Sequence, residues 1–270
     1  MFSYNTPRRG TVEYLRYVVQ SEPDIPSNWT TRGSGRSVLA DVDSSTKQAI
    51  INLVQSTWNP AQTSFGRDAF GLRRDTGLMI LNVERIENPD LFRRYKAAKQ
   101  ELLFKKLRSG RVCEKVGDLP KSSGGVVTSR YLPDFLTDDL CQEVNEHYLF
   151  HGTTFDRIGG LKDIGFRKSA GGMLGSGIYQ AEKSTKANQY ADPTDARSPD
   201  GHRLKIILSR TLLGDVFLCN KSNLSMVQGR NSPPSGYDSV MADGDWLFRE
   251  FVVYDESLVY PEFVVTYKRA

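Results

Sequence analysis

The chain has few cysteines, and they are widely spaced. Its 270 residues include three of them, Cys113, Cys141 and Cys219. An odd and sparse set argues against a disulfide framework and against a cysteine-rich zinc site, and it favours a reducing compartment. We therefore expect an intracellular protein, nuclear or cytoplasmic, that holds no metal ion.

Long apolar runs are also absent. The first residues, MFSYNTPRRGTVEY, contain no apolar stretch of signal-peptide length. No segment approaches the roughly 18 consecutive apolar residues that a membrane-spanning helix requires. The sequence therefore predicts neither a secretory leader nor contact with a membrane.

The excess of positive charge is small. The formal net charge is +4 and the isoelectric point is about 8.9. A balance this close to neutral does not by itself predict nucleic-acid binding, although a slight positive excess suits an anionic dinucleotide. With 39% hydrophobic residues, the composition is that of an ordinary globular protein with enough length to bury a sizeable core.

Periodicity indicates helices first and antiparallel strands afterwards, which is typical of an α+β fold. Residues 1–35 show little periodicity, and we interpret them as a partly ordered lead-in. A single catalytic-type domain is predicted over 36–270. Its helical and strand part is expected over 36–135, and its chemical core over 136–270.

Caps and apolar spacing place two helices in the first part of this domain. One is predicted over 44–57, with a serine at its start as the cap. The other is predicted over 89–107, because Asn88 can cap it and Pro89 then occupies its first position.

Other elements are predicted from turn-forming residues and strand patterns. The Gly/Ser-rich segment 109–131 is interpreted as a mobile loop. Thr137 is expected to cap a helix that reaches His147. Near the end of the chain, Pro261 is expected to lie in a turn between two strands.

Four local patterns with chemical potential occur in order along the second half. They are LFHGT at 149–153, GGMLGSGIY at 171–179, AEKSTKANQY at 181–190 and FREFVVYDESLVYPEFVVTY at 248–267. Each one alone has an ordinary structural explanation, such as a turn, a surface pair or a half-buried aromatic residue. Their combination in this order is far more specific than any single pattern.

Together these patterns resemble the catalytic domain of the poly(ADP-ribose) polymerase family, a diphtheria-toxin-like ADP-ribosyltransferase, and the C-terminal half is similar to the tankyrases. The resemblance implies two packed antiparallel sheets with flanking helices and a nicotinamide cleft between them. It also implies an enzyme that uses NAD as co-substrate, releases nicotinamide and transfers ADP-ribose to a protein acceptor, which can be the enzyme itself. Nucleic acid is not expected to be required, and the stretch 191–202 lacks the cysteines of the tankyrase zinc site.

The resemblance also implies roles for particular residues. A catalytic triad is expected from His151, Tyr179 and Glu250. The residues expected to bind NAD are His151, Gly152, Thr153, Arg167, Tyr179, Ala187 and Tyr190. The retained Glu250 permits chain elongation, so polymer formation is favoured slightly over single additions.

The chemistry of NAD cleavage suits these residue types. Breaking the N-glycosidic bond gives a transition state that resembles an oxocarbenium ion, as in glycoside hydrolysis. A carboxylate beside the ribose stabilises that positive charge and accepts a hydrogen bond from the 2′-hydroxyl. Two tyrosines can sandwich the flat nicotinamide ring, and a glycine lets backbone atoms approach it.

One departure from the family pattern keeps other interpretations open. Eight residues after Tyr179, where the family has a serine that binds the carboxamide, the chain has Ala187. The loss of one hydrogen bond costs about 0.5–1.5 kcal/mol. The alternatives are a weak or inactive module that binds NAD or ADP-ribose, a toxin-like transferase with one target, and a structural domain with accidental motifs.

Overall fold

The computed structural model describes residues 7–21, 25–31, 35–66, 69, 77–191 and 203–270. The strands are β1 (Val38–Asp41), β2 (Leu78–Glu87), β3 (Glu146–Thr153), β4 (Ile178–Ala181), β5 (Leu204–Leu212), β6 (Val216–Cys219), β7 (Ser239–Ala242), β8 (Glu250–Val253) and β9 (Val259–Arg269). The helices are α1 (Val12–Ser21), α2 (Ser44–Ser56), α3 (Pro89–Ser109), α4 (Thr128–Tyr131), α5 (Asp134–Thr137), α6 (Ile158–Ile164) and α7 (Ser184–Asn188). This mixture of helices and strands confirms the predicted α+β class.

The strands of the described residues form one hydrogen-bonded sheet in the order β1-β2-β9-β5-β3-β4-β8-β7-β6. The prediction of two packed antiparallel sheets therefore needs two corrections. The two halves of the sheet are joined where Phe150 of β3 pairs with Ala181 of β4. In addition, β6 pairs with β7 in parallel.

The two halves of the sheet face each other across a shared apolar core. Side chains of the first half, including Leu149 and Ile207, pack in one buried cluster with Ile178, Phe251 and Val253 of the second half. Residues alternate between the two faces of a strand, so each half contributes one face to this cluster. The cluster fixes β3, β4 and β8 relative to one another.

Helix α1 lies within the segment predicted as a partly ordered lead-in, where the sequence analysis assigned no helix. Its Leu15 is buried in a cluster with side chains of α3. Trp29 also joins this cluster, with its ring centroid 5.2 Å from that of Phe92 and 5.9 Å from that of Tyr260. The segment thus packs on α3, while the domain boundary at residue 35 stays a prediction.

The two helices predicted from caps are present. The cap of α2 is Asp43, whose carboxylate accepts a hydrogen bond from Thr46 N at 2.9 Å, so the prediction of a serine cap was wrong. The predicted cap of α3 is confirmed, because the side chain of Asn88 accepts from the backbone N–H groups of Asp90 and Leu91.

The helix predicted from Thr137 to His147 is wrong. Thr137 is instead the last residue of α5, and β3 begins at Glu146. Between them the chain reverses at Asn145, which has a φ of 51°. Strand β3 pairs with β5 along its whole length, from Glu146 to Thr153, and this tertiary pairing overrides the local helical pattern.

Two further segments differ from their predictions. Pro261 lies within β9, opposite Ser209, where the register between β5 and β9 shifts and a missing N–H is tolerated. The segment 109–131 includes α4, and hydrogen bonds attach it to the rest of the molecule. The turn-rich stretch 59–76 is predicted from the sequence to be a long loop, and half of its residues lie outside the described ones, as do nearly all of 191–202.

In the described part of the chain, we find no helix with the length and apolar character that crossing a bilayer requires.

Candidate functional site

All of the residues singled out from the sequence line one cavity of about 900 Å³. A cavity of this size is typical of small-molecule and cofactor sites. Its walls come from β3, the segment before β4, β4 itself, α7 and the start of β8. The structure therefore brings together His151, Gly152, Thr153, Arg167, Tyr179, Ala187, Tyr190 and Glu250.

His151 lies near the end of β3, and backbone and aromatic contacts fix its ring. Its Nδ1 is 2.8 Å from the carbonyl oxygen of Tyr179, and its ring meets that of Phe166 edge-on at 4.9 Å. Burial lowers the pKa of His151, the hydrogen bond to Tyr179 O raises it, and Arg157 lowers it, with a net decrease. Because a carbonyl oxygen only accepts, Nδ1 carries the proton of the neutral ring and Nε2 is left as an acceptor.

Gly152 allows β3 to pass against α7. A Cβ atom at this position would lie 1.9 Å from Ala187 O and 2.8 Å from Tyr190 Cβ. Separations this short are impossible for unbonded atoms, so only glycine allows this approach. The contact places the end of α7 beside the strand that carries His151.

Tyr179 is held through its hydroxyl group by the segment before β4. The hydroxyl accepts a hydrogen bond from Leu174 N at 2.9 Å and donates one to Gly175 O at 2.8 Å. Gly172 leaves room for this arrangement, because a Cβ atom there would lie 2.2 Å from Tyr179 Oη. The ring of Tyr179 is therefore fixed in the cavity wall.

Helix α7 is attached to the last turn of α2 and to the segment that follows it. The hydroxyl of Ser184 donates to Val54 O at 2.7 Å, and Asn59 N donates to Thr185 Oγ1 at 2.7 Å. The sequence also predicts that Ser184 caps a helix through Tyr190, but Ser184 is the first residue of α7, and Lys183 is the N-cap without a side-chain hydrogen bond. These contacts fix the helix that carries the next group of cavity residues.

Lys186 of α7 contacts the candidate catalytic carboxylate. Its Nζ lies 3.2 Å from Glu250 Oε1, 3.3 Å from Tyr190 Oη and 5.0 Å from the centroid of the Tyr190 ring. The sequence analysis missed this lysine. Its spacing of four residues from Tyr190, which places two side chains on the same face of a helix, was the available signal.

An apolar rim, formed by Phe65, Trp246 and Leu247, also went unrecognised in the sequence. All three residues line the cavity, and Phe65 is 60% exposed while Leu247 is 43% exposed. Gln189 connects the rim to the site, because its side chain donates to Phe65 O at 3.1 Å. No periodic pattern identifies these residues, since all three lie outside helices and strands and Phe65 is far in sequence from Trp246 and Leu247.

No group of three or more His, Cys, Asp or Glu side chains within the described ranges could hold a metal ion. The segment 192–202, at which the tankyrase-like zinc site was considered, lies outside those ranges.

The cavity combines an imidazole acceptor, a carboxylate and two tyrosine rings. Such a set suits a ligand that has a flat ring and ribose hydroxyl groups, because rings stack on tyrosine and hydroxyls donate to His151 and Glu250. Ala187 contributes only a methyl group, so it supplies no hydrogen bond to a ligand. NAD has the features that this cavity can recognise.

The poly(ADP-ribose) polymerase catalytic domain model matches residues 68–247, two thirds of the chain. The match covers the elements that carry His151, Tyr179 and Tyr190, and it ends just before Glu250.

Individual relatives agree with this match. Protein mono-ADP-ribosyltransferase PARP14 of Homo sapiens is 23% identical over an alignment of 270 residues that covers 98% of this chain and 12% of that protein. Protein mono-ADP-ribosyltransferase PARP3 of Mus musculus is 31% identical over an alignment of 103 residues that covers 37% of this chain and 18% of that protein. Protein mono-ADP-ribosyltransferase PARP4 of Mus musculus is 29% identical over an alignment of 149 residues that covers 48% of this chain and 7% of that protein.

The chain thus spans less than a fifth of the length of these relatives. The family match, the α+β fold and the cavity residues nevertheless agree. The chain belongs to the family of poly(ADP-ribose) polymerase catalytic domains.

Proposed function

We propose that the chain cleaves NAD, releases nicotinamide and transfers ADP-ribose to a nucleophile on a protein acceptor, which can be the chain itself. The observation that carries this proposal is the convergence of His151, Tyr179 and Glu250 on one cavity of about 900 Å³. These residues come from three strands, and each has a chemical feature that the reaction requires.

In the proposed complex, the nicotinamide ring lies between Tyr179 and Tyr190, and its carboxamide meets the backbone of Gly152. Stacking on an aromatic ring contributes about 0.5–1.5 kcal/mol beyond the burial of area. The acceptor Nε2 of His151 binds a hydroxyl of the adenosine ribose. The NAD molecule is thereby held at its two sugars and its leaving group.

Glu250 acts on the nicotinamide ribose. The bond between C1′ and the nicotinamide nitrogen breaks, its electron pair leaves with neutral nicotinamide, and positive charge develops on the ribose. The carboxylate of Glu250 stabilises that charge and accepts a hydrogen bond from the 2′-hydroxyl. The acceptor nucleophile then forms a bond to C1′ and loses a proton, which Glu250 can accept. Lys186 holds the carboxylate in place, with Nζ 3.2 Å from Oε1.

The length of the product distinguishes two versions of this function. Glu250 permits chain elongation, which the sequence analysis favoured slightly. The three relatives described above are named mono-ADP-ribosyltransferases. Their names make single additions the second candidate, and the same experiment separates the two.

Ala187 favours a different candidate, a module that binds NAD or ADP-ribose without turnover. A methyl group replaces the hydroxyl that is expected to hold the carboxamide, and this side chain is almost fully buried in the cavity wall. The predicted cost of about 0.5–1.5 kcal/mol weakens binding by roughly three- to twelve-fold. A loss of that size reduces affinity without abolishing turnover, so we place the enzyme first.

The test is an incubation of the purified protein with NAD labelled in its adenylate part. Free nicotinamide and protein-bound label are followed for the wild type, Glu250→Gln and the control Glu101→Gln, whose side chain is exposed on α3. We expect release and labelling in the wild type and in the control, and strongly reduced release in Glu250→Gln. A ladder of label indicates elongation, and one discrete addition indicates mono-transfer. A rise in melting temperature with NAD but no nicotinamide release would support the binding module instead.

Independence from nucleic acid and an intracellular location remain predictions. Adding nicked DNA to the same assay should leave the rate of nicotinamide release unchanged. A large stimulation by the DNA would contradict the first of these predictions.

A further inference from the structure

Glu250 lies at the very end of a strand ladder. The pairing of β4 with β8 runs from Ile178 and Val253 to Ala181 and Glu250, where it stops. Backbone hydrogen bonds at the ends of ladders open more readily than those in the middle. The position of the Glu250 carboxylate therefore depends on what holds the chain just beyond this last pair.

The next residues outward from the ladder, Glu182 and Arg249, form a buried ion pair. Arg249 Nε donates to Glu182 Oε1 at 3.0 Å, and Arg249 Nη2 donates to Glu182 Oε2. Arg249 is 8% exposed and Glu182 is 4% exposed. This forked contact is the strongest geometry available to an arginine and a carboxylate, because both donors and both acceptors are aligned.

The remaining donors of Arg249 reach backbone carbonyls of another segment. Its Nη1 donates to Gly124 O at 2.6 Å, and its Nη2 donates to Gly125 O at 2.8 Å. Glu182 Oε2 in turn accepts from Val127 N at 2.8 Å. The residues around 124–127 thus close over the ion pair, and the pair joins this segment, the end of β4 and the start of β8.

Neither member of the pair touches the cavity. Of the described residues that line the cavity, none is Glu182 or Arg249. Arg249, which immediately precedes β8, lies over the ring of Phe251, with Cζ 5.6 Å from the ring centroid. Adjacent residues of a strand point to opposite faces, so Phe251 and the guanidinium group over it lie on the face of β8 opposite to the Glu250 side chain.

We propose that Arg249 and Glu182 are a positioning pair that fixes the carboxylate of Glu250 for ADP-ribose transfer. This inference rests on the proposed function. The pair clamps the end of the ladder, so that the first residue of β8 does not open away from β4. A displacement of about 1 Å at a reacting group can lower the rate by up to about 100-fold.

A purely structural pair predicts a different pattern. Buried ion pairs contribute little net stability compared with apolar replacements, although removal of one partner destabilises the protein. A structural role would lower the melting temperature of a variant while its folded fraction kept the kcat of the wild type. A positioning role lowers kcat in the folded protein and leaves the KM for NAD nearly unchanged.

The experiment measures kcat and KM of nicotinamide release at a temperature well below the melting point of each variant. We expect Arg249→Met and Glu182→Gln each to lower kcat by about 10-fold or more, with KM for NAD within about three-fold of the wild type. Arg249→Lys should recover part of the rate, because it restores the charge but not the fork. The double variant should be no worse than the poorer single variant, since both remove the same contact.

Arg85→Met is the matched control. Arg85 is buried and also forms an ion pair with a buried carboxylate, donating from Nε and Nη2 to Glu87 Oε1 at 3.2 and 2.8 Å and from Nη2 to Asn28 O at 2.8 Å. It lies on β2, outside the set of described residues that line the cavity. This variant should have a lower melting temperature than the wild type and the same kcat.

Amide hydrogen exchange gives a readout that does not depend on activity. Peptides that cover β8 should exchange faster in Arg249→Lys and Glu182→Gln than in the wild type, while peptides from β2 should not change. These mild variants keep the proposal testable if Arg249→Met does not fold.

The outcomes separate the two proposals. If the wild type releases no nicotinamide, the proposed function and this inference are both overturned. If the wild type is active and the folded variants keep its kcat, only the positioning role is overturned. An equal fall of kcat in Arg85→Met would also overturn it, because a general loss of stability would then explain the result.

Discussion

Replacing Gly152 with alanine should damage NAD binding through a collision that the structure locates. The added Cβ atom would lie 1.9 Å from Ala187 O, 2.9 Å from Ala187 C and 2.8 Å from Tyr190 Cβ. Unbonded carbon atoms normally stay about 3.5 Å apart or more. The nearest atoms belong to backbone, which cannot rotate away as a flexible side chain can, so β3 and the end of α7 must separate by about 1 Å.

The expected losses of stability and of activity follow from two effects. Overpacking of this kind destabilises a protein by about 1–3 kcal/mol. A shift of about 1 Å in the walls that carry His151 and Tyr190 can lower the rate by up to about 100-fold. We therefore expect Gly152→Ala to lower the melting temperature and to lower kcat/KM for NAD by at least 10-fold.

Gly159→Ala provides the control for this prediction. Gly159 is exposed in α6, and nothing lies within 4 Å of the position of an added Cβ atom. Alanine in a helix is favoured over glycine by about 0.8–1.0 kcal/mol, so this variant should be as stable as the wild type or more stable. The reasoning is refuted if Gly152→Ala keeps the NAD-induced rise in melting temperature and the kcat/KM of the wild type.

Three further predictions concern the same region. Ala187→Ser should lower the KM for NAD by roughly three- to twelve-fold, since one hydrogen bond contributes about 0.5–1.5 kcal/mol; unchanged or weaker NAD binding in titration calorimetry would contradict the assigned position of the carboxamide. Tyr179→Phe removes the hydroxyl that bonds Leu174 N and Gly175 O, so it should lower the free energy of unfolding by about 1–3 kcal/mol and raise the KM for NAD. The control Tyr237→Phe, at an exposed position, should change neither value. Burial, with Arg249 nearby, lowers the pKa of His147 to about 4 even though Glu146 raises it. The unfolded chain, in which His147 has a pKa near 6.5, therefore binds the proton first, and stability should fall by up to about 3 kcal/mol between pH 6.5 and pH 4. Urea unfolding at pH 7 and pH 4.5 should show a smaller loss for His147→Phe than for the wild type, and equal losses would contradict this pKa shift.

The sequence predicted elements well where a local signal was strong. Helix α3 begins at Pro89 because Asn88 supplies a side-chain acceptor and proline fits the first turn, and both features are visible in the sequence. The candidate site residues were found for a different reason. All of them except Arg167 lie within the four short motifs, and the order of the motifs carried more information than any single residue.

Tertiary contacts explain what the sequence did not predict. The stretch from Thr137 to His147 has a helical pattern, but α5 ends at Thr137, and Glu146 and His147 pair with β5 as the first residues of β3. Pro261 signals a turn locally, whereas the register shift opposite Ser209 accommodates it inside β9. Ser184 has the chemistry of a helix cap and is used instead to attach α7 to Val54.

The site shows the same division between local and tertiary information. Glu250 was identified from its motif, but the residues that surround it come from distant segments. Phe65 approaches from the region after α2, and Arg249 is held by carbonyls of Gly124 and Gly125. No pattern in one sequence predicts that these segments meet.

A crystal structure of the Glu250→Gln variant with NAD would show where the substrate binds. We expect NAD in the cavity of about 900 Å³, with the nicotinamide ring between Tyr179 and Tyr190 and its carboxamide at the backbone of Gly152. The side chain at position 250 should lie beside the nicotinamide ribose, and His151 Nε2 beside the adenosine ribose. NAD bound elsewhere, or with its nicotinamide ring outside the two tyrosines, would contradict the assignment of this cavity as the site of NAD cleavage.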